Sequence, residues 1–179
     1  MGAMPEIGTS LTAVFDYVWD RFTGRLAGLT DDEYFWEPVA DCWTLRQEAD
    51  GRWVLDGGGG FGPAPDPAPV TTIAWRTGHV VGLCVGRFGD RLFGDGQLWA
   101  GGIDPPGTTT ELPAFLDENY ARWRPGLAAA SDDDLGLPLG PAWGIYAEHS
   151  RTDLALHVLD ELVHHAAEIG LLRDLYARR

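Results

Sequence analysis

The residues best suited to chemistry lie on one face of the last predicted helix. Within residues 151–176 an apolar stripe is interrupted by two acids and a histidine, and its positions are Leu154, Val158, Glu161, His165, Glu168 and Leu172. Glu161 and His165 are four positions apart, so their Cβ atoms lie about 5–6 Å apart on one helix face. A carboxylate and an imidazole at that spacing can bind the same cation.

A third ligand for such a cation must come from another element. His79 lies between the apolar residues Trp75 and Leu83 on a second predicted helix, and no other histidine precedes His149. A divalent ion offsets the desolvation of a buried carboxylate and leaves positions open for water or substrate. Two imidazoles and one carboxylate suit zinc, nickel or ferrous iron better than magnesium or calcium. We therefore predict one divalent metal ion, with zinc as the first candidate and nickel or iron as the others.

Spacing alone leaves other interpretations open. His157 with Glu161, and Asp160 with His164, are also four positions apart. In the simplest alternative the histidines are hydrogen-bonded core residues and Glu161 is a solvated acid, because Glu-x-x-x-His is common by chance. His164 is offset by about 100° from its neighbour His165 around the helix, so it is not expected to bind the same ion.

The remaining candidate residues receive smaller roles. Residues expected beside the ligands, as pocket wall or hydrogen-bond partners, are Trp75, His157, His164 and Glu168. Neither Cys42 nor Cys84 lies in a nucleophile motif, and Cys84 is expected to pack in the core. The glycines at 57–60 lack the lysine and helix of a phosphate-binding loop, so they are interpreted as a linker.

Four amphipathic segments are expected to position these residues. Apolar residues at steps of three and four predict helices near residues 10–29, 72–91, 110–130 and 151–176. The predicted caps are Thr71 or Thr72, Thr109 or Thr110, and Ser150 with Asp153 in a capping box. Pro125 is expected to kink the third helix or to end it early.

The connections between these helices contain little predicted structure. Residues 42–46 and 52–56 flank a Glu-Ala-Asp-Gly turn and predict a short hairpin, followed by a glycine- and proline-rich connector over 57–69. Residues 94–107 and 131–149 are expected to be loops. Four helices with so little strand predict an all-α fold, a four-helix bundle formed by a single domain over residues 1–179.

Composition excludes several function classes. The chain has 27 acidic and 13 basic residues, a net charge of −14 and no lysine, so we expect no nucleic-acid partner and no anionic membrane surface. No apolar run approaches the roughly 18 residues of a membrane helix. The N-terminus lacks the basic and apolar regions of a secretory signal, so a cytoplasmic location with two reduced cysteines is expected.

Two segments carry a family resemblance. The sequence TTIAWRTGH at 71–79, with HVLDELVHHAAEI at 157–169, resembles the DinB-like (YfiT-type) metalloenzyme superfamily, and the resemblance covers roughly residues 10–176. It implies a four-helix bundle with up-down-down-up connectivity. It also implies a metal set of one histidine on the second helix and a His-x-x-x-His pair on the last.

The family's metal set falls on His79, Glu161 and His165. Glu161 departs from the usual histidine, but the mycothiol-dependent maleylpyruvate isomerases, which are similar to this family, use histidine, glutamate and histidine in those places. The carboxylate is therefore compatible with metal binding.

The resemblance implies a metal-dependent thiol S-transferase. Its partners would be a low-molecular-weight thiol, of the mycothiol or bacillithiol type, and a small electrophile, and a homodimer is compatible with the family. Metal coordination deprotonates a thiol whose ordinary pKa is about 8.5. A metal-dependent hydrolase and a non-catalytic metal-binding or stress-associated protein are the alternatives.

Overall fold

The computed structural model describes residues 6–60 and 65–179, and it is predominantly helical. Its α-helices are α1 (Ile7–Leu26), α2 (Asp31–Tyr34), α3 (Ile73–Thr77), α4 (Phe88–Phe93), α5 (Gln97–Gly101), α6 (Leu112–Ala129), α7 (Asp132–Gly136) and α8 (Arg151–Tyr176). A π-helix spans Gly78–Arg87, and 3-10 turns span Asp56–Gly60 and Pro141–Tyr146. The predicted all-α class is confirmed. Residues 1–5 of the predicted signal-free N-terminus and residues 61–64 of the predicted connector lie outside the described residues.

Four long helical stretches enclose the core. The first is α1, the second consists of α3, the π-helix and α4, the third is α6 and the fourth is α8. Helix α1 packs on α6 and α8, and the π-helix also packs on both α6 and α8. The largest fully buried side chains include Phe15 and Phe22 of α1, Trp123 of α6 and Leu162 of α8. Burial of aromatic and aliphatic surface along these stripes is the main stabilising contribution to the fold. No helix within the two described ranges is long and apolar enough to cross a membrane.

The second helical stretch is not the regular helix that its sequence predicts. Thr72 caps it, as expected, and its hydroxyl accepts a hydrogen bond from the Trp75 amide at 3.2 Å. Beyond Thr77 the backbone widens into the π-helix, and the amide of Phe88 donates to the carbonyl of Leu83, five residues back. Glycines and β-branched valines in this segment favour the α-helix only weakly. Tertiary packing can therefore decide the backbone geometry.

Close packing of α6 accompanies this widened segment. A Cβ atom at Gly82 would overlap the side chain of Ile103, and one at Gly86 would overlap the side chain of Asn119 on α6. Glycine at these positions therefore lets Ile103, in the segment between α5 and α6, and Asn119 of α6 approach the π-helix this closely.

Several helix boundaries differ from the prediction. Helix α1 begins at Ile7 and ends at Leu26, a few residues before the predicted bounds. The predicted threonine caps of the third helix are wrong, because the N-cap position of α6 is Glu111, whose side chain makes no capping hydrogen bond. Thr109 instead donates through its amide and hydroxyl to Asp31 Oδ1, both at 2.7 Å, and so ties this loop to α2. Pro125 lies inside α6, which continues to Ala129 rather than ending early.

The predicted hairpin is confirmed, whereas two predicted loops contain helices. Strands β1 (Leu45–Gln47) and β2 (Trp53–Leu55) pair antiparallel. The predicted loop at 94–107 contains α5, and the loop at 131–149 contains α7 and a 3-10 turn. Helix α7 begins with the same capping box, Ser131 with Asp134, that Ser150 and Asp153 form at the start of α8. The signal for α7 was thus readable in the sequence.

Candidate metal centre

Three predicted ligands meet between α8 and the start of the π-helix. Glu161 Oε2 lies 3.2 Å from His79 Nε2 and 3.3 Å from His165 Nε2. The two imidazole rings stand nearly perpendicular, with centroids 5.0 Å apart. Side-chain exposure is 13% for each histidine and 25% for Glu161, so the cluster is half-buried yet reachable from solvent.

The outer nitrogens of both rings have partners that fix the tautomers. His79 Nδ1 lies 2.7 Å from the carbonyl of Gly59, which only accepts hydrogen bonds. His165 Nδ1 lies 2.7 Å from Glu168 Oε2. Arg76 Nη1 is also 3.2 Å from this nitrogen, but the ionised carboxylate is the nearer and stronger partner. We therefore assign the proton to Nδ1 in both rings, which leaves a lone pair on each Nε2.

This arrangement fits a divalent ion. Two imidazole lone pairs and a carboxylate oxygen face one another, and acceptors alone do not satisfy one another. A tetrahedral ion with zinc-type ligand distances separates its donor atoms by about 3.3 Å. The separations of Glu161 Oε2 from the two nitrogens, 3.2 and 3.3 Å, match two edges of that tetrahedron. The groups whose donor atoms all lie within 4.8 Å of one another are His79 with Cys84 and Glu161, and His164 with His165 and Glu168. The second partners of the rings, a backbone carbonyl and a carboxylate, are those usual for metal-binding histidines.

Electrostatics keeps two of these groups in the forms that ligate metals. With a proton on Nε2, His165 and His79 donate to Glu161 and hold its pKa far below its usual range, against the opposing effect of desolvation, and a bound cation would take the place of those protons. Burial lowers the pKa of His165. The carboxylate is thus ionised and the His165 imidazole neutral near pH 7, as metal binding requires.

Glu168 and Arg76 support the cluster from behind. Glu168 Oε2 accepts the hydrogen bond from His165 Nδ1 and forms an ion pair with Arg76, while Glu168 Oε1 lies 3.2 Å from His164 Nε2. Desolvation lowers the pKa of Arg76 to about 10, so it stays charged. His164, His165 and Glu168 also form a second group whose ligand atoms lie within 4.8 Å of one another. Glu168 is therefore placed as a hydrogen-bond partner of the cluster, with exposed His164 at its outer edge.

Trp75 and the glycine segment at 57–60 cover one side of the cluster, next to His79. The Trp75 ring stacks on His79 with centroids 5.0 Å apart, and its Nε1 donates to the Asp56 carbonyl at 2.8 Å. A Cβ atom at Gly60, where φ is +90°, would lie 3.2 Å from the His79 ring. The interpretation of residues 57–60 as a linker is thus wrong, because this segment supplies the carbonyl that orients His79.

The predicted neighbour His157 and the loop histidine His149 lie away from the cluster. His157 is exposed, and its ring lies against Phe88 at 6.3 Å between centroids, away from the converging donor atoms. His149 lies in the turn that precedes α8, against Tyr146.

Cys84 is the neighbour that the sequence analysis missed. Its Sγ lies 3.9 Å from His79 Nε2, and His79, Cys84 and Glu161 each offer a ligand atom within 4.8 Å of the others. Burial, reinforced by the charge of Glu161, raises the pKa of this thiol. In an α-helix, residues five apart point about 140° away from each other, so helical periodicity gave no signal for this contact.

Comparison with known proteins gives one match. The family model of the DinB superfamily matches residues 15–169, a range that includes every residue of this cluster. Neither curated proteins nor solved structures give a match.

Proposed function

The chain belongs to the DinB superfamily, and on that premise we propose that it is a divalent-metal-dependent enzyme that holds its ion with His79, Glu161 and His165. One observation carries the proposal: the Nε2 atoms of two imidazole rings lie 3.2 and 3.3 Å from a single carboxylate oxygen. Zinc is the proposed ion, with nickel and iron as the other candidates, because nitrogen and oxygen donors at these separations suit borderline ions.

The proposed architecture is a four-helix bundle with up-down-down-up connectivity. The helix contacts support it, since α1 and the second helical stretch each pack on both α6 and α8. Such bundles build metal sites from side chains on facing helices. His79 faces Glu161 and His165 in this way.

The proposed reaction is transfer of a low-molecular-weight thiol, of the mycothiol or bacillithiol type, to a small electrophile. A bound divalent ion would supply the positive charge that makes a thiol lose its proton near neutral pH. Glu161 partly neutralises that charge, while Gly59 and Glu168 keep the lone pairs of His79 and His165 aimed inward. Trp75 excludes water from one side of His79, and the partly exposed carboxylate marks the side from which a small thiol can enter.

The test begins with metal content. Protein stripped with chelator is loaded with zinc, nickel or ferrous iron, and bound metal is measured by elemental analysis beside Glu161→Gln and the control His149→Ala. We expect about one ion per chain in the wild type and control, and none in Glu161→Gln. Absence of bound metal in the wild type would contradict the proposed metal site and every reaction that depends on it.

Activity then separates the reaction classes. Loaded protein is assayed for consumption of electrophiles with and without added thiol, and we expect consumption only when thiol is present. Consumption without thiol would instead indicate a hydrolase. Metal binding with no acceleration over the uncatalysed rate would indicate a non-catalytic metal-binding protein.

A further inference from the structure

Cys84 is a buried nucleophilic group beside the metal cluster that the proposed function leaves unused. The residue is 2% exposed, and its Sγ lies 3.9 Å from His79 Nε2. One ligand atom from each of His79, Cys84 and Glu161 fits within 4.8 Å. The sulfur therefore shares the space into which the His79 lone pair and the Glu161 carboxylate point.

The π-helical backbone creates this proximity. His79 is the second residue of the π-helix and Cys84 the seventh, so the wider turn runs through both. Because π-helical hydrogen bonds link residues five apart, such residues lie near one another on one face, where an α-helix would separate them. Single π turns occur often at functional sites, and here the local geometry brings a sulfur beside a ligand nitrogen.

We propose that Cys84 is a fourth ligand of the metal, through its thiolate sulfur. The inference rests on the metal site of the proposed function. On binding, the S–H bond breaks, a metal–sulfur bond forms, and the proton passes to solvent. Glu161 and the Cys84 thiolate then carry two negative charges, which balance a divalent cation between two neutral imidazoles. Without the thiolate, one positive charge would stay uncompensated in a half-buried site.

A sulfur ligand changes which metal ions the site prefers and how a substrate thiol binds to the ion. Thiolate favours zinc and cobalt over harder ions such as manganese and magnesium. Four protein ligands complete a tetrahedron, so a substrate thiol would bind as a fifth ligand, an expansion that catalytic zinc sites make. The competing interpretation is that the Cys84 thiol only donates a weak hydrogen bond to His79 Nε2.

Cobalt spectroscopy distinguishes these interpretations. Metal-free wild type, Cys42→Ser and Cys84→Ser are titrated with Co²⁺, and their near-ultraviolet and visible absorption is recorded. We expect a cobalt–thiolate charge-transfer band in the wild type and in Cys42→Ser, whose mutated thiol instead faces the carbonyl of Val39. Cys84→Ser should keep visible cobalt bands, which report ligation by the other residues, and lose the near-ultraviolet band. Its Kd for zinc should rise by at least about tenfold, the lower end of the loss seen for supporting residues of metal sites.

The negative results distinguish failure of the Cys84 proposal from failure of the three-ligand metal site. Visible cobalt bands without a charge-transfer band in the wild type, or a band that survives in Cys84→Ser, would overturn the role of Cys84 and leave the three-ligand site standing. No cobalt binding at all would overturn both proposals. If Cys84→Ser does not fold by circular dichroism, alkylation of the Cys42→Ser protein decides the question. Saturating zinc should slow iodoacetamide modification of Cys84, and equal rates with and without zinc contradict ligation.

Discussion

Two glutamates, the buried Glu33 and the half-buried Glu161, have opposite surroundings. Glu33 on α2 accepts from Arg173 of α8, at 2.8 Å from Nε to Oε1 and 3.3 Å from Nη2 to Oε2. Glu161, three turns earlier on α8, faces two imidazole lone pairs. An acid that pairs with an arginine of the same chain, as Glu33 does, stabilises the fold. An acid that faces only acceptors needs a cation from solution.

The arginine of the first pair also ties down neighbouring backbone. Arg173 Nη1 donates to the carbonyl of Ala27 at 3.0 Å and contacts that of Arg25, so one guanidinium joins the end of α1, α2 and α8. Only 18% of the Arg173 side chain and 8% of the Glu33 side chain are exposed. Removing one partner would therefore leave a charge without compensation in a nearly dry place.

The largest effect expected from this comparison is loss of stability in Arg173→Met. The substitution should lower the free energy of unfolding by about 3–5 kcal/mol, with or without metal, because Glu33 stays buried and unpaired. Urea unfolding of metal-free protein measures the loss. Arg25→Met is the matched control, since its ion pair with Asp174 is half-exposed on both sides and should contribute less than about 1 kcal/mol. Similar small losses in both variants would contradict the contrast between the two glutamates.

Glu161→Gln should behave in the opposite way. In metal-free protein it should be neutral or stabilising, because the amide can donate hydrogen bonds to the lone pairs of His79 and His165. Zinc at 100 times its Kd should stabilise the wild type by about 2.7 kcal/mol and leave the variant unchanged. Thermal unfolding with and without zinc reports both effects. A metal-free variant as damaged as Arg173→Met would show that Glu161 is a structural acid.

A smaller effect is expected behind the metal cluster. Glu168→Gln should weaken zinc binding by about 10- to 100-fold, because the His165 Nδ1 proton loses its ionised partner. Competition with a chromophoric chelator measures the affinity. His164→Ala removes the exposed contact of the same carboxylate and should bind zinc as the wild type does. Equal losses in the two variants would assign the effect to the general charge of this face.

The smallest effect concerns an acid that has its own cation but lies at the surface. Asp16 pairs with Arg124 at 2.7 Å and accepts from the Tyr120 hydroxyl at 2.8 Å. The Arg124 hydrogen bond, with help from Tyr120, lowers the pKa of Asp16 below its usual 3.8. Its contribution is therefore present above that pH and is lost as pH falls through the folded pKa.

Asp16→Asn tests this contribution. At pH 7 the variant should be less stable by under about 1 kcal/mol, the usual size for a surface pair. The gap should close as urea unfolding is repeated at falling pH. Asp20→Asn, on the same helix, is the control and should show no such closing gap. A gap that is constant with pH would indicate a packing defect rather than lost charge.

The sequence predicts α8 and the shared face of Glu161 and His165 well because both depend on helical periodicity. The spacing of Glu161 and His165 and the capping box at Ser150 are local properties. The sequence also predicts a helix near residues 72–91 and places His79 on it. The contact between His79 and Cys84 was not predictable, because a period of 3.6 residues contains no information about a π-helix. Two further features depend on partners distant in sequence. The carbonyl of Gly59 contacts His79, and Thr109 binds Asp31 instead of capping α6.

The two helices that hold the candidate ion differ in how firmly they are built, and this difference bears on the rate of metal exchange. Helix α8 is a continuous 26-residue element with a capping box. The π-helix has only ten residues, three of them glycines and three valines, so its order depends on packing against α6 and α8. Transient opening of this segment would carry His79 and Cys84 away together while α8 stays folded. Metal dissociation should then be gated by local unfolding of the π-helix, with a rate that follows hydrogen exchange of its backbone amides.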